Sequence, residues 1–260
     1  MLSILVINSK GGSGKTTLAT NLASYFAWMK NRTAMMDYDP QGSSMQWLKI
    51  RSGRAENIHG SNAAPAKGAS SLRSIQAWLP PNTEVLVIDA PAGANGLLLQ
   101  ELVRRSNFIV IPVAPSPIDI HATADFIKEL YLFGGARSAK AKIAVVANRV
   151  RSPSSQVYAA LERFLISLKL PFLTTIRDSD NYLHAFEKGL GVFEIDEGTA
   201  DAERRELMPI LKWLNSQFPT PHAVRFDDQV LGAKAAGKLI AFRRDSLNTA
   251  KFNSTGNFKY

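Results

Sequence analysis

The sequence predicts a doubly wound α/β fold: a mostly parallel sheet flanked by helices. Three observations predict it. Short apolar runs alternate with stretches of helical spacing along the first two thirds of the chain. The runs are continuously apolar rather than alternating, as suits parallel strands covered on both faces. The first of them ends in a glycine-rich turn that opens a helix, and two later ones end in aspartate, which places chemistry at the carboxyl ends of strands.

The strand candidates are Leu2–Ile7, Thr33–Met36, Val85–Ile88, Phe108–Val113 and Ile143–Ala147, with Pro171–Ile176 as a possible last strand. Helical patterns cover Thr16–Lys30, Ser70–Trp78, Gly96–Arg105, His121–Phe133, Ser154–Leu168 and a closing Ala200–Gln217. Residues 52–69, rich in Gly, Ala, Ser, Asn and Pro, read as a loose loop. Phe218-Pro-Thr-Pro-His222 stops the last helix. The chain thus divides into an α/β domain over 1–217 and a basic tail over 218–260. The tail's apolar residues scatter around a helical wheel, so it reads as flexible or ordered by a partner.

Composition narrows the function. The chain has 260 residues, 45% of them hydrophobic, enough for a sizeable core. No apolar run reaches the length of a membrane span, and Leu2–Ile7 lacks the flanks of a signal peptide, so a cytoplasmic protein is expected. Cysteine is absent, which excludes disulfides, thiolate zinc sites and cysteine-held iron–sulfur clusters. The net charge of +9 suits attraction to a polyanion, nucleic acid before membrane, although a merely basic surface would also carry it. From residue 221 onward seven Lys/Arg face three Asp, so the tail holds +4 of that charge.

Ser9-Lys-Gly-Gly-Ser-Gly-Lys-Thr-Thr17 is a phosphate loop in which Ser9 replaces the leading glycine and Lys10 is extra. Successive backbone N–H groups of Gly11, Gly12, Ser13 and Gly14 can face an anion, Lys15 can reach the outer phosphates, and the Thr16 hydroxyl can ligate Mg²⁺. Asp37 and Asp39, two apart at a strand end in Met-Met-Asp-Tyr-Asp-Pro-Gln-Gly42, point to one side and suit a hydrated metal and an attacking water; an Asp-Pro turn explains them as well. Val85-Leu-Val-Ile-Asp89 has the form of a strand whose final carboxylate reaches Mg²⁺ through water.

Together Lys10-Gly-Gly-Ser-Gly-Lys-Thr-Thr17, Asp37-Tyr-Asp-Pro-Gln41 and Ile88-Asp-Ala-Pro-Ala-Gly93 resemble the ParA/MinD family of deviant Walker A ATPases, over roughly residues 1–217. Ile111-Pro-Val-Ala-Pro-Ser-Pro-Ile-Asp119 is similar to a segment of the short ParA proteins. The resemblance implies a P-loop NTPase fold with ATP and Mg²⁺ as cofactors. It implies that Lys15 and Thr17 belong to the phosphate site, that Thr16, Asp37 and Asp89 serve the metal, and that Asp39 orients the water. Lys10 would reach across an ATP-sandwich homodimer to the partner's phosphates, and Asn148 would read adenine, where a turn asparagine is the other reading. Arg177 and Lys188 fall in a stretch similar to the family's DNA-backbone contacts, with Arg204 and Arg205 near a second; a solvated helix face explains the latter pair equally well.

The implied function is a ParA-like ATPase that binds DNA nonspecifically and segregates or positions a cargo. The cargo is a plasmid or chromosome locus or a protein assembly, and a ParB-like or adaptor protein stimulates hydrolysis. Its place would be the nucleoid. The alternative is a MinD-like regulator cycling on membranes, which needs a C-terminal amphipathic helix that the tail does not show. The absent cysteine argues strongly against an electron-transfer or cluster-assembly ATPase that shares this loop, and Lys10 beside the Asp37–Gln41 segment disfavours a small-molecule ligase of the same fold. The four histidines share no metal-ligand spacing. Trp28, Trp47, Trp78 and Trp213 sit among apolar residues and read as core.

Overall fold

The computed structural model describes residues 1–64, 79–136, 140–196, 198–218 and 224–227. Among them, seven strands form one sheet, all parallel: β1 Leu2–Val6, β2 Thr33–Asp37, β3 Ile58–Asn62, β4 Val85–Asp89, β5 Phe108–Val113, β6 Lys142–Val150 and β7 Phe172–Arg177. Their order across the sheet is β3-β2-β4-β1-β5-β6-β7. The helices are α1 Lys15–Trp28, α2 Ser43–Arg51, α3 Gly96–Arg104, α4 Pro117–Leu132, α5 Gln156–Ser167, α6 Asp180–Glu187 and α7 Asp201–Gln217. The doubly wound α/β expectation is met.

The pleat divides the core. Leu2, Ile4 and Val6 of β1 face a cluster that holds α1 and α7, including Leu18, Phe26, Leu207 and Leu211. Leu5 and Ile7 face the other side, where α3, α4 and α5 pack through Leu99, Phe126 and Leu161. Both faces of β1, β2, β4 and β5 are therefore buried, which is why their sequences are continuously apolar. The loop leaving β1 feeds a helix on one face and the loop leaving β4 feeds a helix on the other. A crevice opens between their carboxyl ends, the standard ligand position in such sheets.

Residues 52–69 are not wholly a loop, as expected from composition, because Ile58–Asn62 forms the edge strand β3, paired in register with β2 from Thr33↔Ile58 to Asp37↔Asn62. An edge strand needs little apolar surface, and only Ile58 and Ser61 of it are buried. Helix α2 carries no apolar period in sequence, whereas α6 is amphipathic but only eight residues long, and neither is among the expected helices. The predicted helix Ser70–Trp78 lies outside the described residues. Of the tryptophans, Trp47 is fully buried and Trp213 packs edge-on against Phe108, whereas Trp28 is 36% exposed and stacks on Phe193; Trp78 lies outside the described residues. His59, His121 and His184 are exposed, and His222 is not among the described residues.

The segment after α7 begins with a fixed anchor. Asn31, buried at the start of β2, donates from Nδ2 to the Arg225 carbonyl at 3.1 Å, and its Oδ1 accepts from the Arg225 N–H at 2.6 Å. Phe226 meets Phe26 edge-on with ring centroids 5.5 Å apart.

Candidate functional site

The loop between β1 and α1 turns through two left-handed glycines, Gly12 at φ 78° and Gly14 at φ 85°. Gly14 has a second reason to lack a side chain, since a Cβ there would collide with Asn148 Nδ2. The loop's carbonyls are tied to the protein. Ser9 O accepts from Gly93 N at 2.9 Å, and Lys10 O accepts from Lys15 Nζ at 2.9 Å and Ser13 Oγ at 3.2 Å. Gly12 O accepts from Arg149 Nη1 at 3.1 Å, and Ser13 O accepts from Asn148 Nδ2 at 2.8 Å. A loop with its carbonyls so engaged has its N–H groups to offer an anion, beside the positive end of α1.

Lys15 is the first residue of α1 and is buried. Burial lowers its pKa, against the raising effect of the Asp89 and Asp39 carboxylates. Desolvated and folded back onto the Lys10 carbonyl, the ammonium gains more from a phosphate than a solvated lysine would.

Asp89 ends β4 next to β1, paired with Val6. Its Oδ2 accepts from Ser44 Oγ at 2.6 Å, and its Oδ1 is buried with no hydrogen-bond partner. Burial pushes its pKa up to about 7, although Ser44, Thr16 and Lys15 all favour the ionised form. An orphaned carboxylate oxygen beside a threonine hydroxyl fits a hydrated divalent cation of the hard, oxygen-liking kind. Asp37 is fully buried, but its oxygens are engaged: Oδ1 accepts from Asp39 N at 2.9 Å and Oδ2 from Met45 N at 3.2 Å. Burial raises its pKa despite these bonds. Asp37 thus folds the 37–45 loop over the site. Asp39 is half-buried and holds Gln41 N at 2.9 Å. Lys10 is half-buried at the loop's entrance.

The raised Asp89 makes stability depend on pH. Between its ordinary value of 3.8 and its folded value of about 7, the folded chain binds a proton that the unfolded chain has released. The contribution of Asp89 to the stability of the ligand-free protein is therefore full below that window and is lost as pH rises through it, by at most about 1.4 kcal/mol per pH unit. Denaturant unfolding at about pH 5 and about pH 8 is expected to show that loss, and Asp89→Asn to flatten it. An unchanged slope in Asp89→Asn would assign the titration elsewhere.

The structure brings Asp37, Asp39 and Asp89 to Lys15 and Thr16, within the contiguous run Lys10, Gly11, Gly12, Ser13, Gly14, Lys15, Thr16, Thr17. Asn148, at the end of β6, touches the loop from behind through Ser13 O. The four basic candidates are elsewhere. Arg177 is paired with Glu206, its Nε 2.7 Å from Oε1 and its N–H 3.0 Å from Oε2. Arg204 donates to the carbonyls of Val192 and Ile195 at 2.8 and 2.6 Å, fastening α7 to the preceding segment. Lys188 and Arg205 are exposed.

Four contributors escaped sequence reasoning. Ser44 shares Asp89. Asn8, fully buried, donates to Pro112 O at 2.8 Å and Thr123 Oγ1 at 3.1 Å, fixing the loop's start to β5 and α4. Arg149, at φ 57°, bridges Gly12 O and Asp178, and Asp178 also holds Arg151. The only local hint was the polar Asn8 directly after an apolar strand.

Residues 4–192 match the family described as the CobQ/CobB/MinD/ParA nucleotide binding domain. The maintenance of carboxysome distribution protein A of Halothiobacillus neapolitanus is 30% identical over 198 residues, 74% of this chain and 87% of that protein. Among solved structures, the ATP complex of an aspartate-to-alanine McdA from Cyanothece superposes with a TM-score of 0.61 at 17% identity, covering 85% of this chain and 99% of that one. MinD of Pyrococcus horikoshii complexed with Mg-ADP gives 0.59 at 16% identity, covering 78% and 92%. With its phosphate loop, paired carboxylates and parallel sheet, the chain belongs to the CobQ/CobB/MinD/ParA family of nucleotide-binding proteins.

Proposed function

We propose that this chain is an ATP-hydrolysing switch that closes into a homodimer on ATP, binds DNA without sequence preference, and positions a cargo until a partner protein stimulates hydrolysis. The observation that carries the reading is the convergence of Lys15, Asp39 and Asp89 on one glycine loop whose entrance holds a second lysine, Lys10. Lys15 would bind the outer phosphates. Thr16 directly, and Asp89 through water, would hold Mg²⁺, which supplies neutralisation of the phosphate charge. Asp37 would keep the 37–45 loop folded, and Asp39 would orient the attacking water. Asn148 holds the loop through Ser13 O and would, on its amide oxygen, accept from adenine. The relative from Halothiobacillus favours a large protein assembly as cargo, with a plasmid or chromosome locus as the other class.

For DNA, the exposed Lys188 and Arg205 are better placed than Arg177 and Arg204, whose guanidinium groups are engaged within the chain. Among the described residues no helix is long and apolar enough to cross a membrane.

Asp39→Ala is expected to keep ATP bound while hydrolysis falls by about 10²–10⁴-fold, the usual worth of a positioned proton-transfer group. The trapped ATP form should stay on DNA, with affinity dropping steeply as salt rises. Hydrolysis at the parent rate would remove Asp39 from its role. Trapped protein that ignores DNA at low salt would overturn the DNA reading while leaving the ATPase reading intact.

A further inference from the structure

Helix α2 is fastened at both ends, and the two fastenings lie in different parts of the molecule. At its N-terminus Ser44 Oγ bonds Asp89 and the Met45 N–H bonds Asp37, both carboxylates of the nucleotide site. At its C-terminus the buried Arg51 grips Glu194 through two hydrogen bonds of 2.8 and 2.6 Å and donates to Gly189 O at 3.1 Å. Trp47 Nε1 donates to Leu190 O at 3.2 Å, and the Arg51 guanidinium lies over the Trp47 ring, 5.2 Å from its centroid. The approach is so close that only glycine fits at position 189, where φ is +70° and a Cβ would strike the backbone of Arg51.

The gripped segment is itself a junction. Val192 N donates to Asn21 Oδ1 of α1 at 2.9 Å, and Val192 O and Ile195 O accept from Arg204 of α7. The exposed Lys188 stands at its start. The ion-pair side chains are 2% and 6% exposed. A well-packed apolar pair of similar volume would stabilise the fold as well or better, so stability alone does not explain a buried ion pair here. What the pair adds is direction: two parallel bonds that fix how α2 sits against residues 189–194.

We propose that α2 acts as a rod between the nucleotide site and the 188–196 junction, with Arg51 and Glu194 as the positioning residues that make the far end follow the near one. The inference rests on the nucleotide-binding reading above. A ligand that draws on Asp89 or Asp37 competes for the bonds that hold the first turn of α2. That helix of nine residues spans about 13 Å. Pinned at both ends and along its buried side by Ser44, Trp47 and Arg51, it shifts as a unit rather than bending, and the bonds at Arg51 carry the shift into the junction, and so to Lys188 and α7.

The test is amide hydrogen exchange of the full chain with and without Mg²⁺ and a slowly hydrolysed ATP analogue, a readout that involves neither DNA nor hydrolysis. In the parent, exchange over residues 188–196 is expected to change by about 5- to 150-fold on ligand binding, the usual size of a coupling between sites. The double variant Arg51→Met/Glu194→Met keeps about the buried volume and removes the directional pair together with its bonds to Glu56 O, Gly189 O and Gly191 N. It is expected to bind the analogue within about twofold of the parent while its 188–196 response falls below about twofold. Glu194→Gln, which retains one acceptor for Arg51, should fall between. A parent that binds the analogue with no response at 188–196, or a double variant that responds as the parent does, overturns the coupling. Loss of analogue binding by the parent would instead overturn the nucleotide reading. A junction that responds in a chain that ignores DNA supports the coupling and separates it from the DNA reading.

Discussion

Lys15→Ala is expected to weaken ATP binding by about 30- to several-thousand-fold, the 2–5 kcal/mol typical of truncating one partner of a buried, hydrogen-bonded charge pair. The magnitude follows from where the residue sits. Lys15 is buried at the first turn of α1, its ammonium already stripped of most water and held by a single backbone carbonyl. Phosphate oxygens would replace that carbonyl with full negative charge in a low-dielectric setting. Removing the ammonium also leaves Asp89 and Asp39 facing an incoming polyphosphate with less compensating charge. Isothermal titration with Mg-ATP measures the loss directly. Binding within about threefold of the parent would show that the loop N–H groups alone hold the phosphates.

Lys10→Ala is expected to act on a different step. Its own protomer's phosphate cradle needs Gly11–Thr17 and not the Lys10 ammonium, so ATP affinity of the monomer should stay within about threefold of the parent. Partner-stimulated hydrolysis should fall by about 10³–10⁵-fold, the worth of a positive charge supplied in trans to a phosphoryl-transfer site. Lys10 is half-buried at the mouth of the loop, and its carbonyl, rather than its side chain, is what the protomer uses to hold Lys15 and Ser13. An alanine at position 10 keeps that carbonyl, which makes the substitution a clean probe of the ammonium. Equal hydrolysis in parent and variant would assign Lys10 a purely structural place.

Much of the fold was legible because the strands are buried on both faces. Leu2–Val6, Val85–Ile88 and Phe108–Val113 are apolar but for Ser3, and nearly continuous apolar runs are easy to see. β3 was hidden for the opposite reason: an edge strand with two buried side chains in Ile-His-Gly-Ser-Asn leaves almost no trace in composition. Helix α2 was hidden because its fastenings are tertiary, to Asp89 at one end and Glu194 at the other, and its own sequence has little amphipathic period. The site divided along the same line. Residues 9–17 are contiguous, and their spacing is dictated by the turn they make, so they could be read directly. Arg149 reaches Gly12 of that loop from 137 residues away and Ser44 reaches Asp89 from 45 away, neither with a local signature, while Asn8 adjoins the loop but finds its partners Pro112 and Thr123 104 and 115 residues on. Charge was the least legible property. Arg177 and Arg204 look identical to Lys188 and Arg205 in sequence, yet Glu206 and the carbonyls of the 192–196 segment have claimed the first two.

The same contrast explains how the tail should be regarded. Its charge was visible, but its attachment was not. Asn31 pairs with both backbone groups of Arg225, across 194 residues, and residues 228–260 lie outside the described residues.

The central claim is that ATP closes two copies of this chain around their phosphates. Light scattering of the Asp39→Ala protein with and without saturating Mg-ATP tests it most directly. The expected molar mass is near 28.5 kDa without nucleotide and twice that with it, with the doubling lost on adding Lys15→Ala. A protein that binds Mg-ATP and stays at the monomer mass would contradict it.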